Sequence, residues 1–208
     1  PLGAAEITLE ESASVYGGLV SGRTWVFPGT GRGGVAVPQV PASTLLIAEL
    51  RDVDGRVLYR ATPEEVRVAT PVIGEMIADI LHNVVLHGTG RRAAAAVSVN
   101  GGLVPVGGKT GTTNDFRNAA FLGFAPKVSE GVFDAAEGYI VGAYVGYDDN
   151  RPLTSGRIRI AGSSGALPVW ISTIQGLAGA GLLGVPAGEP EAGAWPLYSS
   201  SGLLEVAV

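Results

Sequence analysis

The sequence predicts an α+β fold in which an antiparallel sheet is flanked by helices, and three observations carry that expectation. Ile73, Met76, Ile77, Ile80, Leu81, Val84 and Val85 repeat with a helical period. Three later stretches, Val104 to Thr113, Ala119 to Ala125 and Gly138 to Tyr147, are rich in β-branched, aromatic and small residues between turn signals. A second apolar helical stretch follows them, from about Leu167 or Pro168 through Leu177. With 208 residues, 46% of them hydrophobic, and a formal net charge of −5, the chain has material for a full-sized core and too little charge for disorder. Its 32 Gly and 13 Pro show no three-residue period, which excludes collagen.

Taken in order, Thr8-Leu9-Glu10-Glu11 has the Thr-x-x-Glu form of a capping box and predicts a short helix to about Tyr16, ended by Gly17-Gly18. Pro28 to Pro41 is Gly/Pro-rich and aperiodic, a surface loop. Leu45 to Leu50 and Arg56 to Arg60 flank Asp52-Val53-Asp54-Gly55, the signature of a tight hairpin. Thr62-Pro63-Glu64-Glu65 repeats the capping pattern with Pro at the first helical position, and Thr70-Pro71 restarts or kinks that helix. The periodic run from Ile73 should stop at Gly88-Thr89-Gly90, on a left-handed glycine cap. The three β-rich stretches read as neighbouring antiparallel strands, and the Gly/Pro-rich tail from Gly179 is expected to be irregular.

Composition narrows the function classes. A sequence pI of about 5.0 and no basic run longer than Arg91-Arg92 argue against nucleic acid as a partner, since phosphate binding needs clustered cations. Without cysteine there is no thiol catalysis, disulfide or cysteine-ligated zinc. No apolar stretch reaches the roughly 18 residues that span a bilayer. His82 and His87 are five apart and do not share a helix face as a metal pair would, and Asp148-Asp149-Asn150 reads as a solvated turn. No metal and no cofactor is expected.

Two glycine motifs suggest nucleotide binding and fail on context. Gly29-Thr30-Gly31-Arg32-Gly33-Gly34 satisfies G-x-G-x-x-G, but Pro38 and Pro41 follow where a helix is required. Gly108-Lys109-Thr110 matches the end of a phosphate-binding loop, but the first glycine should stand at position 103, which is Leu103. A P-loop-like nucleotide binder is the weakest reading.

Of the 14 basic residues only Lys109 and Lys127 are lysines, so each merits inspection. Lys109-Thr110-Gly111-Thr112-Thr113 places a lysine and hydroxyls in a strand-like segment. By alternation Lys109, Gly111 and Thr113 share one face and Thr110 and Thr112 the other, unless local twist brings them together around a ligand. Gly111 leaves the backbone uncovered, so an extended peptide could add as a strand while hydroxyls and ammonium bind its terminal carboxylate.

With its surroundings, this segment resembles the serine penicillin-binding proteins and β-lactamases, whose elements are S-x-x-K, S-x-N or S-D-N, and K-T-G. The run Val106 to Asn118 is similar to the class A, bifunctional branch, which reads close to A-G-K-T-G-T-T-N-D-x-R-D-A-W-F. His87 to Arg92 resembles that branch's helix-ending G-T-G-R, Val145-Gly146-Tyr147-Asp148 its W-V-G-Y-D, and Gly162 to Trp170 its G-G-x-x-A-A-P-x-W. Leu2-Gly3-Ala4-Ala5-Glu6 is similar to the segment that opens a helix ahead of the active-site strand. The blocks run in family order from about residue 1 to 175.

The departures are equally informative. Ser-x-x-Lys would need serine at 106 or 124, and those positions are Val106 and Phe124. Ser98-Val99-Asn100 spells S-x-N but falls after the Leu2 to Glu6 block instead of before it, a coincidence of a short pattern. Asn118-Ala119-Ala120-Phe121 replaces D-A-W-F, and Tyr144 stands where the later strand has tryptophan.

The resemblance implies a partial β-lactamase/transpeptidase-like fold. Residues 1–178 would be the C-terminal portion of a penicillin-binding transpeptidase domain, and residues 179–208 a tail. It implies a serine-type D,D-transpeptidase that cross-links peptidoglycan stem peptides ending in D-Ala-D-Ala and is acylated by β-lactams, at the bacterial cell envelope. By analogy Lys109 supplies positive potential, the Thr110 and Thr112 hydroxyls hold the terminal carboxylate, the Thr112 amide donates to the oxyanion, Gly111 lets the substrate backbone approach, and Thr113 counts among the substrate-binding residues. A membrane anchor and a glycosyltransferase domain are expected only upstream, and this chain alone is expected to be inactive. A surface made for absent catalytic helices should leave exposed apolar residues. The alternative is a non-catalytic cell-wall peptide-binding or scaffold module using the same strand.

Overall fold

The structure, a computed structural model, describes residues 7–26, 47–190 and 193–197. The Leu2 to Glu6 block, the Pro28 to Pro41 loop and the Gly29 to Gly34 motif lie outside the described residues.

Helix α1, Leu9–Ser21, opens on the Thr8 capping box. Glu11 N–H donates to Thr8 Oγ1 at 3.1 Å and Thr8 N–H donates to Glu11 Oε2 at 2.8 Å. The helix does not stop at Tyr16. It continues through Gly17-Gly18, which lie against Ile140, Val68 and the Arg23 carbonyl, and ends at Gly22 with φ 67°. Tertiary packing here outweighs the poor helix propensity of two glycines.

The Thr8 amide and hydroxyl, donated to Glu11, hold its carboxyl below the usual range. A depressed folded-state pKa gives stability that is present above the unfolded value and lost as pH falls through the folded one. The first turn of α1 is therefore expected to loosen in acid. Amide shifts of Glu11 and Ser12 should titrate with a midpoint below that of an ordinary glutamate, and Glu11→Gln should abolish the titration.

Four short strands follow: β1 (Arg23–Val26), β2 (Glu49–Arg51), β3 (Val57–Arg60) and β4 (Glu64–Arg67). β2 and β3 form the expected hairpin, turned at Asp52 to Gly55, with Gly55 at φ 81°. The helix expected from Thr62-Pro63 is absent, since Glu64 to Arg67 pairs antiparallel with β1. Pro71 would have cut such a helix after one or two turns, too short to offset its nucleation cost.

Helix α2, Pro71–His87, starts at Thr70 with Pro71 in its first turn. It ends at Gly88 in an extended conformation (φ −109°, ψ −151°) instead of a left-handed cap, with the Gly88 and Gly90 amides both donating to Val84 O. Its buried residues are Gly74, Ala78 and Val85. Small residues allow the close approach: a Cβ on Gly74 would stand 2.4 Å from Val20 O. The large residues Val72, Ile73, Met76 and Ile80 consequently point outward, with Ile80 60% exposed. Ile73, Met76 and Ile80 follow at three and four residues, Val72 stands four before Met76, and together they form one stripe.

Beyond a two-residue hairpin, β5 (Ser98–Val99) with β6 (Gly102–Leu103), lies the main sheet. It comprises β7 (Gly107–Thr112), β8 (Asn118–Ser129) and β9 (Val132–Gly146), antiparallel in the order β7-β8-β9. β8 does not stop at Ala125. It passes Pro126 through a register shift between Ala125 and Lys127, a bulge where the missing proline donor is tolerated. It then turns at Glu130 (φ 51°) and Gly131 (φ 87°) into β9. A small hairpin, β10 (Thr154–Ser155) with β11 (Ile158–Arg159), and helix α3, Ala166–Gly179, complete the order.

The layers are α1 with α2, then the sheet, then α3. Phe121, Leu167, Trp170 and Ile174 are fully buried on the α3 side, while Val20, Ala78 and Phe124 form a smaller core on the other. The described tail residues are irregular yet packed: Leu183 and Trp195 join the α3-side core, and Trp195 Nε1 donates to Val99 O at 3.1 Å. No helix among the described residues is long and apolar enough to cross a membrane.

Candidate functional site

β7 is an edge strand, paired only with β8 among the described residues. Thr113 N–H donates to Asn118 O at 3.0 Å. Because an antiparallel strand alternates its pairing, Gly111 and Lys109 share that inward role, opposite Ala120 and Leu122. The amides and carbonyls of Thr110 and Thr112 therefore face the free edge. Lys109 follows the same geometry: its Nζ donates to the outward Thr110 O at 2.8 Å and reaches Thr110 Oγ1 at 3.3 Å. An ammonium, two outward amides and two hydroxyls thus meet along one exposed strand edge.

The strand's fit against β8 depends on glycine. A Cβ on Gly123 would stand 2.3 Å from Gly107 O and 3.1 Å from the Trp170 ring, so β7, β8 and α3 close up over that position. At the far end, Asp115 (φ 58°) and Phe116 (φ 54°) make the turn back into β8. The β7 lysine is followed by a single 3-10 turn, Asn114–Phe116, and not by an α-helix. The helix N-terminus that a phosphate-binding loop requires is missing here.

Three supports escaped the sequence reading of the residues alone. Thr89 Oγ1 lies 2.7 Å from Thr110 Oγ1, bringing the Gly-Thr-Gly segment after α2 onto the strand. Gly162 N–H donates to Thr112 Oγ1 at 3.0 Å, bringing the loop before α3 onto the same face. Tyr144 OH donates to Asn118 Oδ1 at 2.5 Å across β8 and β9. Thr89 and Gly162 both fall within the family-like blocks, which was their one visible signal.

On the α1 side, Gly111, Thr112 and Thr113 border a cleft of about 730 Å³ closed by Leu9, Leu122 and Tyr144. Its lining is mostly apolar and includes the hydroxyl-bearing residues Thr8, Ser12, Thr112 and Thr113. The Ser98-Val99-Asn100 triplet lines a separate hollow with Gln175 and Gly179, and shares no lining residue with this cleft. His82 is tied to the fold, its Nδ1 2.7 Å from Val106 O. Asp149 caps its own turn by accepting from Arg151 N–H at 3.2 Å. No group of three His, Asp or Glu that could hold a metal occurs among the described residues.

Comparison with known proteins gives a consistent answer. The chain is 36% identical over 129 residues to penicillin-binding protein 1A of Aquifex aeolicus, covering 62% of this chain and 15% of that protein. It is 32% identical over 177 residues to penicillin-binding protein 1A of Rickettsia bellii, covering 82% of this chain and 20% of that one. The chain thus spans about a fifth or less of these curated relatives. No family model matches it. Among solved structures it is similar to the D,D-transpeptidase domain of a peptidoglycan glycosyltransferase from Eggerthella lenta, with TM-score 0.54, 21% identity, 88% of this chain and 36% of that one.

The three-stranded sheet between helices, with a K-T-G strand at its edge, is the sheet portion of a transpeptidase-type domain. Within that class the chain belongs to the class A penicillin-binding proteins, as a segment of the transpeptidase domain.

Proposed function

We propose that this chain supplies the carboxylate-binding strand of a serine D,D-transpeptidase acting on peptidoglycan stem peptides at the bacterial cell envelope. The observation that supports it is the free edge of β7, where Lys109 and the outward groups of Thr110 and Thr112 converge. A peptide ending in D-Ala-D-Ala adds to this edge as an extra strand. Lys109 supplies positive potential, the Thr110 and Thr112 hydroxyls hold the terminal carboxylate, and Thr113 lines the cleft beyond. The outward Thr112 amide donates to the oxyanion of the tetrahedral intermediate. β-Lactams occupy the same edge through their own carboxylate.

Residues 1–178 form this portion of the domain and 179–208 its tail. Neither lysine of the chain belongs to a Ser-x-x-Lys, so the attacking serine and its lysine come from outside this sequence. The outward stripe of Val72, Ile73, Met76 and Ile80 supports this, as a surface shaped for further elements of the domain. Exposed to a fluorescent penicillin, the 208-residue chain is expected to carry no label that survives denaturing electrophoresis. A stable covalent adduct on it would overturn the reading. Extending the open reading frame upstream separates the alternatives: an in-frame Ser-x-x-Lys supports the enzyme, and a start codon directly before Pro1 supports a non-catalytic peptide-binding module.

A further inference from the structure

The loop of residues 161–165 crosses the face of β7 that carries Thr110 and Thr112, and its contact is made at Gly162. Gly162 is buried, and a Cβ there would stand 2.6 Å from Ala120 O, 2.7 Å from Gly111 O and 3.0 Å from Thr110 Cβ. The loop therefore rests directly on the backbone of the β7–β8 pair, at a spacing only glycine allows. It is held from behind. Leu167 N–H donates to Gly162 O at 2.9 Å, Ala161 N–H donates to Ser164 Oγ at 2.9 Å, and Ser164 N–H donates to Ala161 O at 3.1 Å. The direction of the Gly162 amide is thus set by the start of α3, whose Trp170 is fixed in the core.

The consequence falls on one hydroxyl. A threonine oxygen has two lone pairs and one proton, and the Gly162 N–H occupies a lone pair of Thr112 Oγ1. The Thr112 proton must turn away from that N–H, and it has no acceptor among the described residues. Thr112 itself is exposed at the free edge. A hydroxyl so held is a directed donor.

We propose that Gly162 is a positioning residue that holds the Thr112 hydroxyl as an outward donor, so that loop 161–165 sets the preference of the strand for a carboxylate over a carboxamide terminus. This rests on the carboxylate-binding reading above. A carboxylate only accepts, whereas a carboxamide also presents N–H groups and no charge, so a fixed donor beside an ammonium discriminates between them.

The test uses the 208-residue chain, with diacetyl-L-Lys-D-Ala-D-Ala and its C-terminal carboxamide as probes. The wild type is expected to bind the carboxylate peptide roughly 10-fold or more tightly than the carboxamide. Gly162→Ala should lose most of that preference by weakening the carboxylate peptide alone. Thr112→Val should do the same and also speed hydrogen exchange at the Gly162 amide about 10-fold, while Thr112→Ser should retain both properties. Exchange at Gly162 unchanged in Thr112→Val, or a preference that survives Gly162→Ala, would overturn the inference alone. A wild-type chain with no preference would overturn the carboxylate reading as well. Should Gly162→Ala fail to fold, the Thr112 pair decides.

Discussion

Replacing Trp170 with alanine is expected to cost about 3–5 kcal/mol, against a total stability on the order of 5–15 kcal/mol for a domain. Trp170 is fully buried and sits edge-on to Phe121, with ring centroids 5.0 Å apart at 62°. Its Nε1 donates to Val141 O at 3.0 Å, so one side chain contacts both β8 and β9. It also lies against Gly123, where a Cβ would stand 3.1 Å from the Trp170 ring. Alanine leaves a cavity at the point where sheet and α3 meet. Thermal unfolding followed by near-ultraviolet circular dichroism should show a Tm lowered by about 10 °C or more. Trp170→Phe, which keeps the ring and loses the indole hydrogen bond, should lose much less. A Trp170→Ala chain as stable as the wild type would mean that α3 does not hold the sheet.

The second large effect is expected from Lys109→Ala, and it should leave the fold alone. Lys109 is exposed, and among the described residues its ammonium is bonded only to Thr110, through the outward carbonyl and the hydroxyl. Removing it should change stability by less than about 0.5 kcal/mol. A charge-assisted contact to a carboxylate is worth about 1.5–3 kcal/mol, so affinity for a D-Ala-D-Ala carboxylate peptide should fall roughly 10- to 100-fold. The carboxamide peptide should be little affected. Added salt should weaken wild-type binding and leave the variant nearly unchanged, because only the wild type loses a screened charge pair. Calorimetric titration at two salt concentrations reads both outcomes.

The contrast between these residues shows which features could be read from the sequence. The K-T-G strand was legible because its signals are local: glycines, hydroxyls and one of only two lysines within five residues. The capping box at Thr8 was legible for the same reason, yet the identical pattern at Thr62 led to a strand. What separates them is the partner strand Arg23–Val26, some forty residues away, which the sequence does not reveal. The period of α2 was plain from its large apolar residues, but the buried side is the one with Gly74 and Ala78. Close approach selects small residues, and periodicity alone does not say which apolar face turns inward. The strand expected to end at Ala125 continues in fact across Pro126 by a bulge.

At the site, the Lys109 ammonium lies against Thr110, and the free edge of β7 carries Thr112 as well. Their supports, Thr89 and Gly162, come from 21 and 50 residues away and could be suspected only through the family-like blocks around them. The Ser98-Val99-Asn100 triplet, a motif by spelling, belongs to a different hollow.

The central claim is that the edge of β7 receives a peptide carboxylate. It is tested most directly by adding diacetyl-L-Lys-D-Ala-D-Ala, at millimolar concentration, to the isotope-labelled chain and recording amide chemical shifts. Saturable shifts should centre on Lys109 to Thr113 and extend to Thr89 and Gly162. No shift at these residues, or saturable shifts centred on the Ser98 to Asn100 hollow, would contradict the account.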